Sequence, residues 1–102
     1  MTPSSHIIEM TLDEFIHASH LPSDILQRMI EAGILDPHAD AAGEWRFEFQ
    51  MVFTARRALR LHRELEIDWS GIALALDLLN ELEQLRDENR MLRQRLGRFT
   101  DD

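Results

Sequence analysis

Apolar residues recur along this chain in three rhythms, and each predicts a different kind of structure. Ile7, Ile8 and Met10 form a short run without helical period, which reads as a brief strand. Leu12, Phe15 and Ile16 then fall on one face of a helix expected from about Leu12 to Ser19. Its start has the form of a capping box, Thr11-Leu12-Asp13-Glu14. The Thr11 hydroxyl can accept from the Glu14 amide while the Glu14 carboxylate reaches back. His20-Leu21-Pro22 reads as a turn. Ser23 is expected to cap a second helix, about Asp24 to Ala32, with Ile25, Leu26, Met29 and Ile30 at helical spacing. Gly33 sits where a left-handed residue ends a helix. Two short helices joined by a short turn make a helix-turn-helix pattern.

The middle of the chain changes rhythm. Asp36 to Gly43 is polar and turn-rich, and Trp45-Arg46-Phe47 alternates. A small β-wing is expected there, with Trp45 and Phe47 facing the core and pairing with the first strand. A third helix is predicted from about Phe49 to Glu66, with Val52, Phe53, Ala55, Leu59 and Leu65 apolar and Arg56, Arg57, Arg60 and Arg63 between them. Trp45, Phe49 and Phe53 are candidate apolar anchors of an interface, but core burial is the expectation for each. Asp68 reads as the N-cap of the next helix, with Ile67 and Ile72 placed for a hydrophobic staple. That last helix is predicted from Trp69 to Phe99, about 45 Å at 1.5 Å per residue. The fold class is mainly α. The chain divides into a head, residues 1–68, that includes the third helix, and a long helical tail, residues 69–102.

The third rhythm is a heptad. Leu78, Leu85, Leu92 and Phe99 are spaced by seven, and Leu82, Asn89 and Leu96 by seven with an offset of four. These are d and a positions of a coiled coil, so these seven residues are the candidate dimerisation seam. A buried Asn at an a position costs stability but fixes register, and it favours two strands. Glu81 and Glu88 at g would meet Arg86 and Arg93 at e of a parallel partner. Each exposed pair contributes only about 0.2–1 kcal/mol, so other contacts can override it.

Composition narrows the function. The chain has 102 residues, with 19 acidic and 11 basic side chains, a net charge of −8. Every basic residue is Arg, and there is no Cys. Disulfides, thiolate chemistry and Cys-based zinc sites are therefore excluded. No apolar run is long enough to span a bilayer. The opening residues lack the form of a signal peptide, so a cytoplasmic location is expected. Acidity disfavours nucleic acid as the main partner, because phosphate binding draws on Lys and Arg. It suits a basic protein partner. Residues 1–55 carry nine acids and two Arg, whereas residues 56–102 carry ten and nine. Seven of the eight net negative charges thus lie in the first half.

The stretch from Arg60 through Asp68-Trp69-Ser70-Gly71-Ile72 to Leu76 resembles the core signature of the chaperone-modulator family CbpM. So does the terminal Glu88-Asn89-Arg90-Met91-Leu92 run through Phe99. Thr11–Phe15, the Gly33–Pro37 turn and Trp45 also fit, so the likeness covers nearly the whole chain. The N-terminal half is similar to MerR-type winged helix-turn-helix domains as well. The resemblance implies an inhibitor that binds the J-domain of a DnaJ-like co-chaperone, CbpA. It would block stimulation of the Hsp70 ATPase and oppose DNA binding by the co-chaperone, with nucleoid association arising only through that partner. J-domains present a basic helix, which an acidic competitor suits. MerR-like folds dimerise through antiparallel coiled coils, against the local g–e pattern above.

Two acidic groups are candidates for the J-domain contact. One is Glu64, Glu66, Asp68 and Asp77 with Trp69, around the junction of the third and fourth helices. The other is Asp13, Glu14, Asp24 and Glu31 on the first two helices. Asp68 and Trp69 also have a structural reading, as cap and corner packing. The alternative function is a MerR-like DNA-binding regulator. Against it, residues 24–32 carry Asp24, Arg28 and Glu31, and the wing offers only Arg46. The Arg face of the third helix reads as a solvated surface. His17, His20 and Asp13 lack further converging ligands, so no metal is expected. No cofactor motif or catalytic constellation is present, and the chain is not expected to be an enzyme.

Overall fold

The computed structural model describes residues 8–100 of the chain. In order the elements are β1 (Glu9–Met10), α1 (Leu12–Ser19), α2 (Ser23–Glu31), β2 (His38–Ala39), β3 (Trp45–Glu48), α3 (Met51–Leu65) and α4 (Trp69–Thr100). The mainly helical class, the small antiparallel sheet and the long last helix agree with the sequence reading. Ile7, expected in the first strand, lies outside the described residues, as does the side chain of Phe99.

The ends of α1 are fixed by its own residues. The Thr11 amide donates to Glu14 Oε1 at 2.8 Å, and the Glu14 amide donates to Thr11 Oγ1 at 3.2 Å. His20 closes the helix in the left-handed region, at φ 59°. The start of α2 differs from expectation. Pro22, extended at φ −67° and ψ 152°, occupies the cap position, and Ser23 is already helical. Proline's fixed φ sets the entry angle, and no side chain caps the helix. At the far end the Gly33 amide donates to the Ile30 carbonyl and the Ile34 amide to that of Met29. This paired closure needs the positive φ of 81° at Gly33.

The sheet runs in the order β1-β3-β2, all antiparallel. Met10 pairs with Phe47, and Ala39 with Trp45. β2 falls inside the segment read as turn, and Asp40 organises the hairpin that pairs it with β3. Asp40 Oδ1 accepts from the Ala42 and Glu44 amides at 2.9 Å each, and Oδ2 accepts from Arg46 Nε at 3.2 Å. The Glu44 amide is the main cause of the lowered pKa of this carboxyl.

Phe47 is fully buried and stacks on Phe15, with ring centroids 4.4 Å apart. Trp45 shares that side of the strand yet is 44% exposed, because it stands at the end of β3, past the edge of the core. Phe49 and Phe53 are also exposed, and meet edge to face at 5.6 Å. The expected burial of all three aromatics is thus corrected. The Phe49 amide still donates to the Ile8 carbonyl at the sheet edge, which delays α3 to Met51.

Ala55 and Ala58 are fully buried and let α3 approach its neighbours closely. Glu66, at φ 56°, ends α3 and reverses the chain. Asp68 then caps α4, its Oδ1 accepting from the Gly71 amide at 2.9 Å. Trp69, Ile72 and Leu76 join the head's core. The rest of α4 leaves it. At 1.5 Å per residue the 32-residue helix is about 48 Å long. The radius of gyration is 18.1 Å, against about 13 Å for a compact chain of this length.

Candidate functional site

The two acidic groups have different surroundings. At the α3–α4 junction Glu64, Glu66, Asp68 and Asp77 are all exposed. Asp68 is engaged as a cap, and Glu66 occupies the chain reversal. Trp69 is only 8% exposed, and its indole stacks on the His62 ring at 4.0 Å and 14°. His62 is held in place by a 2.7 Å hydrogen bond between its Nδ1 and the Ile67 carbonyl. Nothing in the spacing of the sequence signals this stack.

On the head Asp13, Glu14, Asp24 and Glu31 are exposed. Glu14 is tied into the capping box, and the hydrogen bonds from Thr11 lower its pKa. Trp45 lies between Asp13 and Glu31, and Asp24 lines neither of its hollows. The Trp45 indole lines an apolar hollow of about 400 Å³ with Leu12, Leu26, Gln27, Ile30 and Glu31. It also lines a more polar hollow of about 390 Å³ with Asp13, Asp40, Glu44 and Arg46. Glu31 further lines a shallow hollow of about 440 Å³ shared with Arg28, Asp68, Trp69 and Ser70. The structure therefore joins the two acidic groups through Glu31, at the end of α2 beside the start of α4. Trp45 is one of the candidate anchors, but its exposure runs against the expected burial, because a period of two gives the face of a strand and not where the core stops.

The Arg residues of α3 line a separate groove with Ser19, His20 and Phe53. Arg57 reaches Glu83 at 3.3 Å, and Arg56 donates to the Ser19 carbonyl at 3.5 Å. In α2 the only basic residue is Arg28, and the wing's Arg46 is paired with Asp40. The His17 and His20 rings are 6.4 Å apart, and among the described residues no three His, Asp or Glu converge as metal ligands. Among the described residues no helix is long and apolar enough to cross a membrane.

On α4 the heptad leucines Leu78, Leu82, Leu85, Leu92 and Leu96 are 41–63% exposed, and Leu74 continues their stripe towards the head. Asn89 is exposed among them. The charge along this helix is polarised. Residues 77–88 hold five acids and one Arg, and residues 89–98 hold four Arg and no acid.

Residues 10–94 match the family described as MerR HTH family regulatory protein. The chain is 44% identical over 97 residues to the chaperone modulatory protein CbpM of Pseudomonas putida (strain W619), covering 95% of this chain and 96% of that one. It is 42% identical, with the same coverage, to the CbpM of Pseudomonas entomophila (strain L48). It is 40% identical to the CbpM of Salmonella newport (strain SL254), covering 90% of this chain and 91% of that one.

Proposed function

Because the chain belongs to the CbpM chaperone-modulator family, within the MerR-type helix-turn-helix proteins, we propose that it is a regulatory protein without catalytic activity. It binds the J-domain of a CbpA-type co-chaperone. By doing so it inhibits both the Hsp70-stimulating and the DNA-binding activities of that partner. The observation that carries this reading is the near full-length likeness to proteins named as chaperone modulators. The chemistry of the head supports it. The helices and wing that would lie on DNA in a MerR-type reader carry Asp13, Asp24, Glu31 and Glu44 against two basic residues, Arg28 and Arg46, and Arg46 is already paired with Asp40. Such a face suits a basic protein surface and repels phosphate.

The same proposal has α4 pair with a second copy along Leu78, Leu82, Leu85, Asn89, Leu92, Leu96 and Phe99. Its work is in the cytoplasm, with no membrane partner, and it reaches the nucleoid only through the co-chaperone. Titration calorimetry with a cognate J-domain at low salt tests the reading. Binding that weakens as salt rises is expected, together with loss of J-stimulated Hsp70 ATPase. No heat at tens of micromolar protein overturns it. A gel shift of operator DNA with a steep salt slope would instead establish the MerR-like DNA-binding alternative.

A further inference from the structure

We propose that the docking surface is the face around Trp45, and that its occupant is a cationic amphipathic helix of the partner. An apolar side chain of that helix enters the hollow of Leu12, Leu26 and Ile30, and a Lys or Arg settles between Asp13 and Glu44. The proposal rests on the J-domain reading above and names the surface that reading leaves open.

Three observations converge. First, Trp45 is 44% and Leu12 37% exposed, two large apolar groups side by side inside an acidic rim. Half-exposed Trp in a hollow is the kind of residue that dominates interfaces, since it offers much apolar area with few rotamers to fix. Second, the site is stiff before anything binds. Trp45 is locked in register with Ala39, and three hydrogen bonds to Asp40 hold the hairpin. Little ordering is left for binding to oppose. Third, the charges divide by availability. The carboxylates of Glu14 and Asp40 are used internally, whereas those of Asp13, Glu31 and Glu44 make no hydrogen bond or ion pair among the described residues. These three are left to meet cations. At the α3–α4 junction the carboxylates of Glu64, Glu66 and Asp77 are equally unpaired among the described residues, but there the aromatic, Trp69, is buried on His62 and Asp68 is engaged in the cap.

The experiment is a titration of ¹⁵N-labelled full-length protein with an unlabelled J-domain. The two indole signals, Trp45 and Trp69, are assigned with Trp45→Phe. Expected is a large shift of the Trp45 indole and little at Trp69. Trp45→Ala weakens binding about tenfold or more, as for a central anchor. Glu44→Lys, an exposed change that leaves the core alone, also weakens binding and lowers its salt dependence. Glu64→Lys and Asp77→Lys stay within about twofold of the wild type, as surface changes outside a contact do. If Glu64→Lys or Asp77→Lys abolishes binding while Trp45→Ala and Glu44→Lys do not, the surface proposal falls and the J-domain reading stands. If the wild type binds no J-domain, both fall together.

Discussion

Replacing Leu85 by Ala separates the stability of the protomer from that of the pair. Leu85 is 60% exposed in the protomer, well beyond the head's core, so its removal leaves no cavity there. Ala is also the better helix former, so α4 itself gains slightly. Any loss must then come from a second copy. Burying a whole Leu side chain contributes about 1.5–3 kcal/mol. With 60% of it still open, pairing recovers about 1–2 kcal/mol per protomer, or about 2–4 kcal/mol per dimer. At 1.4 kcal/mol per tenfold, the dimer constant of Leu85→Ala should weaken by about thirty- to several-hundred-fold. Sedimentation velocity across a dilution series reads this directly. The wild type should approach twice 12.0 kDa at concentrations where Leu85→Ala sediments as the protomer. Far-UV circular dichroism at high concentration confirms that both remain helical. A wild type that stays at 12.0 kDa at hundreds of micromolar, or a variant with an unchanged dimer constant, refutes the seam.

Orientation is read by single cysteines, since the natural chain has none. Antiparallel pairing lays residues 77–88, at net −4, on residues 89–98, at net +4, a match along the whole helix that outweighs the two exposed g–e pairs, Glu81 with Arg86 and Glu88 with Arg93, offered by parallel pairing. Leu78→Cys mixed with Leu96→Cys should therefore give the mixed disulfide on oxidation, and a homodimer of Leu78→Cys alone as main product would establish parallel pairing. Asp68→Ala should lower stability by about 1 kcal/mol, read as a shift in urea midpoint, because the Gly71 amide loses its acceptor; Asp68→Asn should restore most of it. The pKa of Glu14 is lowered in the folded state, so its stabilisation is complete above its ordinary value of 4.5 and is lost as pH falls through the folded value. Glu14→Gln should flatten that part of the acid limb of a stability–pH curve, and an unchanged limb would show that the capping box does not couple to folding.

What the sequence made legible were features written in a few adjacent residues. The capping box at Thr11–Glu14, the left-handed Gly33 and the Asp68 cap all depend on local hydrogen bonds, and all three formed as expected. The pairing of β1 with β3 followed from alternation at Trp45–Phe47. Features set by distant packing were not legible. Trp45, Phe49 and Phe53 looked like core residues by hydrophobicity, but twelve other apolar side chains among the described residues already fill the core. The two-residue β2 has no pattern long enough to read and pairs in a hairpin that Asp40 organises. Charge counting found both acidic groups. It could not tell Glu14 and Asp68, whose carboxylates bond within the chain, from Asp13 and Glu31, whose carboxylates do not.

One continuous helix joins the head to the proposed seam. Trp69, Ile72 and Leu76 anchor α4 in the core, and Leu78 onward faces away, with no Gly or Pro between Gly71 and Gly97 to act as a hinge. Two chains paired along the proposed seam would therefore carry their Trp45 faces at a span fixed by the rod between them. That makes the assembly a bivalent caliper. A target that presents two docking helices at the matching span is held with an effective concentration far above that of a free second site, and avidity follows. A target with one helix, or with two at the wrong spacing, is bound only as tightly as a single head allows.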